Sequence, residues 1–110
     1  MTKQNEDSID AMNIQDEKTR VPDLAELRSK SISKSKDMSH AIIAKFKEHG
    51  YVKIRAIGPA AIGKAYTAFT IARSKFILND IEAISYGSFF DIKMENGEVK
   101  TGITLTIEDR

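Results

Sequence analysis

The sequence predicts an α/β domain, a two-layer sandwich with two helices packed on one face of a four-stranded mixed sheet. Three observations carry that prediction. Two stretches, at about 36–49 and 59–76, repeat apolar residues at helical spacing. Between them, residues 51–57 (YVKIRAI) alternate in the way a half-buried strand does. Further on, Asn96-Gly97 separates two strand-like segments, a strong hairpin signal. At 110 residues and 41% hydrophobic composition, the chain supports one such domain.

Residues 1–26 hold 3 Lys/Arg and 7 Asp/Glu without sustained periodicity, so they read as a disordered acidic extension ahead of a domain at 27–110. Pro22 breaks the chain within it. A first strand is placed at 28–33 (RSKSIS), although only Ile32 is strongly apolar there. The first helix runs from about Lys36 to His49, capped by Ser35 or Asp37, with Met38, Ile42, Ile43 and Phe46 as its buried stripe. Gly50 stands where a left-handed residue ends helices.

In the next strand Val52, Ile54 and Ala56 point one way, and Lys53 and Arg55 the other. The second helix opens at Pro59, whose missing N–H is no loss at the first helical position. Ile62, Ala65, Tyr66, Phe69, Ala72 and Phe76 recur along it at helical spacing. Alanines at 61, 65, 68 and 72 allow close approach by the sheet or by a partner subunit. A long strand over 81–94, bent around Gly87, leads into a type I′ turn with positive φ at both Asn96 and Gly97. A strand over 99–107, with Ile103, Leu105 and Ile107 alternating, closes the sheet. The order is β-α-β-α-β-β, with the first two strands parallel through a right-handed crossover.

Several function classes are set aside. No run of 18 apolar residues is present to span a membrane, and the polar start MTKQNEDSIDAMN is no secretory signal. The absence of cysteine excludes disulfides and thiolate metal sites, and fits the cytoplasm. His40 and His49 lack metal-ligand spacing, so neither metal nor cofactor is expected. No paired carboxylates or Ser-His-Asp signature is recognisable, and the chain is not expected to be an enzyme. Charge is more informative. The net +1 conceals nine basic against two acidic residues within 28–64, a hint of nucleic-acid binding.

Gly58-Pro59-Ala60-Ala61-Ile62-Gly63-Lys64 has the glycine–lysine spacing of a Walker A phosphate loop. Position 65 is alanine, however, so the hydroxyl that would hold Mg²⁺ is missing. Pro-Ala-Ala-Ile also favours a helix that has already begun at Pro59, whereas a phosphate cradle needs a loop there. What remains is Lys64 near a helix N-terminus whose free N–H groups attract anions.

Ala56-Ile57-Gly58, Ala61-Ile62, Ala65, Ala68 and Ile71-Ala72-Arg73 compose a long ungapped motif. It strongly resembles that of the bacterial stage V sporulation protein S family. The likeness continues through Lys34-Ser35, the helix end at Gly50, Phe90-Asp91-Ile92 and the closing strand, covering about 28–110. That family looks related to the archaeal chromatin protein Alba, whose members share this element order, dimerise, and bind DNA or RNA without strong sequence preference.

The resemblance implies an Alba-like domain that contacts phosphates through Lys34 and Lys36, Arg55, Lys64, and Lys93 and Lys100 on the hairpin arm. It also implies a homodimer or higher homo-oligomer with Phe69, Ala72 and Phe76 at the interface. A role in sporulation or development is the family-level expectation. The alternative is a dimeric protein-interaction module that makes no nucleic-acid contact. The acidic N-terminal segment and the hairpin acids Asp91, Glu95 and Glu98 favour that alternative.

Overall fold

Alternation in the segment after Gly50 does produce a strand, and the remaining elements build outward from it. A computed structural model describes residues 14–110. In chain order the elements are β1 (Ile14–Asp16), β2 (Glu26–Ser29), α1 (Ser35–His49), β3 (Tyr51–Ala56), α2 (Pro59–Ile77), β4 (Ala83–Lys93) and β5 (Val99–Asp109). They form an α/β fold with two helices and one mixed sheet of spatial order β1-β4-β5-β3-β2. β2 runs parallel to β3 and β1 parallel to β4, while β3 and β4 each pair antiparallel with the central β5. The carboxyl ends of β2, β3 and β4 therefore lie at the same end of the sheet.

Among the described residues the sheet has five strands where the sequence predicts four. The additional strand is β1, drawn from the segment expected to be structureless. All three of its residues are exposed, so it carries no apolar alternation to read. Backbone pairing along β4 defines it instead, extended by the Glu17 N–H donating to the Lys93 carbonyl at 2.9 Å. The part of the expected extension at 1–13 lies outside the described residues.

Residues 17–25 then cross from one sheet edge to the other, over the face opposite the helices, as a strap. Their contacts show which face it is. Asp23 accepts a hydrogen bond from the Tyr51 hydroxyl at 2.7 Å and pairs with Lys53 at 3.5 Å. Both residues alternate along β3 with the buried Val52 and Ile54, which face the helices. Arg20 pairs with Glu26 beneath the strap.

The first strand also sits earlier than the sequence predicts. Past Ser29 the chain turns, with Ser33 N–H donating to Lys30 C=O and the Ser33 hydroxyl accepting from Lys30 N–H. Ile32, the one apolar residue supporting a longer strand, is 84% exposed. The hairpin is corrected as well. Only Gly97 has positive φ, at 85°, and Gly97 N–H donates to Met94 C=O while Met94 N–H donates to Glu98 C=O. This is a three-residue loop closed by a left-handed glycine, which needs one positive φ rather than two.

The core lies between the helices and the sheet. Ile42 and Phe46 from α1, Phe69 and Phe76 from α2, Val52 and Ile54 from β3 and Ile107 from β5 are among its large side chains. The Phe46 and Phe76 ring centroids are 4.7 Å apart. Ala61, Ala65, Ala68 and Ala72 form the buried edge of α2, whereas Tyr66, read as part of its stripe, is 59% exposed. Among the described residues no helix is long and apolar enough to cross a membrane.

The strap ties part of the stability to pH. The carboxyl of Asp23 is held below its ordinary value of 3.8, chiefly by the Tyr51 hydroxyl, then by the Ala25 N–H and Lys53. A depressed folded-state pKa adds stability above the unfolded value, and that contribution is lost as pH falls through the folded value. Asp23→Asn should therefore melt below the wild type at pH 6, with the gap closing below about pH 4. Thermal unfolding of both proteins across that range checks it; a constant gap would contradict the linkage.

Candidate nucleic-acid interface

Two hydrogen bonds assemble the basic end of the molecule. The Ser29 hydroxyl, at the end of β2, donates to Ala61 C=O in the first turn of α2 at 2.7 Å. The Ser35 hydroxyl, at the start of α1, donates to Lys64 C=O at 3.2 Å. Both helix N-termini and the turn at 30–34 are thereby held together beside the carboxyl ends of β2 and β3, the place where open α/β sheets present binding crevices.

Helix caps leave this end electropositive. Lys34 is the N-cap of α1 and makes no side-chain cap hydrogen bond, so the expected Ser35 or Asp37 cap is not formed. Gly58 caps α2 at φ 90°, again with no side-chain hydrogen bond, and the first turn of α2 holds no acidic residue. Uncapped N–H groups and the helix dipole give each terminus partial positive charge.

Around these termini stand Lys34 and Lys36, both exposed, and the half-buried Lys64. Among the described residues the ion pairs engage Arg20, Arg28, His49, Lys53 and Arg110, and none of these three lysines. Asp37 in the first turn of α1 is the nearest acidic residue in sequence. Three of the predicted contacts, from two separate parts of the sequence, are thus brought to one surface.

The other predicted residues are placed differently. Arg55 is 6% exposed and lies on the strap side, its guanidinium 4.0 Å over the Phe90 ring. Burial, then the nearby Arg20 charge, push its pKa down from the usual arginine value. It is a recessed cation and does not share the lysine surface. Lys93 and Lys100 are exposed on the hairpin, but Lys93 stands opposite Asp16 in the β1–β4 register. The hairpin also holds Glu95, Glu98 and Asp91, the last accepting from the Thr101 hydroxyl at 2.5 Å.

Phe69, Ala72 and Phe76, the expected subunit interface, are 6%, 0% and 3% exposed within the single chain. Within the single chain they are part of the core between the helices and the sheet. Large apolar residues are exposed elsewhere, Phe89 at 81% and Tyr66 at 59%.

Sequence reasoning passed over Lys30, which is exposed in the turn after β2. The signal for it was the serine–basic alternation of RSKSISKSK over 28–36, which reads as a strand face until the turn separates its two halves.

A protein-family model described as Stage V sporulation protein S matches residues 25–110. The matched span holds β2 through β5 and both helices, every element that builds the lysine surface, and starts after β1 and almost all of the strap. The resemblance carried by the Ala56–Arg73 motif is borne out, and the chain belongs to the stage V sporulation protein S family.

Proposed function

We propose that this protein is a nucleic-acid-binding regulator that holds the phosphate backbone at its lysine end without strong sequence preference. The observation that carries the reading is the gathering of Lys34, Lys36 and Lys64, free of carboxylate partners among the described residues, around two helix N-termini. Lysines act there as point charges on phosphates, and backbone N–H groups can add hydrogen bonds; neither reads bases. The β-α-β-α-β-β order from β2 to β5 agrees with an Alba-like domain, which supports the same reading by analogy. The acidic hairpin favours contact through the helix end over insertion of the arm.

Fluorescence anisotropy with short labelled duplexes tests it. At low ionic strength, DNA duplexes of unrelated sequence should bind with affinities within about threefold of one another, in the micromolar range typical of backbone-only binding. The alternative, a protein-binding module, draws on the exposed Phe89 and Tyr66. A chain with that role alone leaves both DNA and RNA free in the same titration.

A further inference from the structure

We propose that a cleft on the strap side is a binding site for a small organic phosphomonoester, anchored by Arg55. The cleft, of ≈ 280 Å³, opens between the turn after β2 and the base of the β4–β5 hairpin. Among the described residues its wall contains Arg28, Lys30 and Arg55 as cations and Glu17 as the one carboxylate. Glu17 is already committed to Arg28 at 2.5 Å. Lys30 and Arg55 pair with no carboxylate among the described residues, so two positive charges remain, which matches a phosphomonoester dianion.

Arg55 is what makes this more than a basic surface. A charge that is 6% exposed is costly unless it is paired and hydrogen-bonded. Its guanidinium has one face on Phe90, and its side chain donates no hydrogen bond to any described residue. The planar fork of N–H donors, which suits two oxygens of one phosphate, is left to whatever enters the cleft.

The rest of the wall indicates an organic ligand. Ile57, Phe90 and Met94 give the cleft an apolar side that an inorganic anion would leave unused. Its volume is at the small end for ligand pockets, suited to one small molecule and too confined for a duplex groove. The site adjoins the lysine surface through the turn at 30–34 but is lined by none of Lys34, Lys36 and Lys64, and it does not depend on the nucleic-acid reading.

Isothermal titration calorimetry of the full chain decides it, with phenyl phosphate and adenosine 5′-monophosphate as probes and phenol, adenosine and inorganic phosphate as controls. At least one ester should bind about tenfold or more tightly than inorganic phosphate and its unphosphorylated parent. Arg55→Met should weaken that binding about tenfold or more, and the exposed Lys30→Ala about threefold. K34E/K36E/K64E should leave it unchanged. Failure of both esters to exceed inorganic phosphate overturns the proposal, as does wild-type affinity in both single variants. Should Arg55→Met not fold, Lys30→Ala and Arg55→Lys decide. Arg55→Lys keeps the charge but loses the fork, so undiminished affinity in both overturns it.

Discussion

Gly102→Val is expected to lower the melting temperature by roughly 10–20 °C, from a loss of about 3 kcal/mol. A Cβ built at Gly102 would lie 2.5 Å from Phe90 Cζ, 2.8 Å from Phe90 Cε1 and 2.6 Å from the Ala56 carbonyl oxygen. Flexible side chains can yield to such an intrusion, but the Ala56 oxygen is backbone at the end of β3 and cannot move without disturbing the strand. The Phe90 ring would have to swing away from Gly102, taking with it the surface on which Arg55 lies. Gly102→Ala, whose one side-chain carbon is that Cβ, already meets all three contacts and should cost about 1–2 kcal/mol, with the valine methyls adding the rest. The requirement is one of space between strands, since Gly102 is not among the glycines with positive φ. Thermal unfolding followed by circular dichroism checks both variants. Unchanged melting would mean that Phe90 is not packed over Gly102.

K34E/K36E/K64E is expected to reduce affinity for duplex DNA on the order of a hundredfold, about 1 kcal/mol for each lost contact, while the fold persists. Lys34 and Lys36 are exposed, and the Lys64 contact that matters to the fold is made by its backbone carbonyl, which glutamate retains. Acidic side chains in the first turn of a helix complement its dipole, so the substitution at 36 does not oppose helix formation, and glutamate at 64, in the second turn of α2, is a good helix former. Stability and binding should therefore separate. Lys64→Glu alone should give a smaller loss in the same direction, and full retention of binding would remove that residue from the surface. The same triple variant should bind small phosphate esters as the wild type does, because Arg55 and Lys30 lie in a different recess.

Much of this arrangement is legible in the sequence, for identifiable reasons. Gly50 ends α1 with φ 81° and donates its N–H to Phe46 C=O at 2.7 Å, the closure a left-handed glycine provides. Pro59 opens α2, and β3 alternates as read. These features are local, so spacing within a short window reveals them. β1 is not local in this sense. Its residues are exposed, and its existence depends on an unpaired edge of β4 some eighty positions later.

The strap is hidden for a similar reason. Its acidic residues look like a solvated run until Asp23 meets Tyr51 and Glu17 meets Arg28. Arg55 shows the limit most plainly. Strand alternation puts it on the face away from the helices, and such a face reads as solvent. The strap and Phe90 cover that face, turning a supposed backbone contact into a buried cation. Lys34, Lys36 and Lys64 escaped this because each lies beside a helix start, where the direction of the chain is locally encoded.

The salt dependence of binding tests the central claim most directly. The logarithm of the association constant for one DNA duplex should fall linearly with the logarithm of salt concentration, with a slope of about −0.9 for each phosphate neutralised. Comparing wild type with K34E/K36E/K64E, the slope should become shallower by about three units of that kind, because three phosphate contacts are gone. A wild-type affinity that does not change with salt, or a variant whose slope equals that of the wild type, would contradict a phosphate-binding surface built on these lysines.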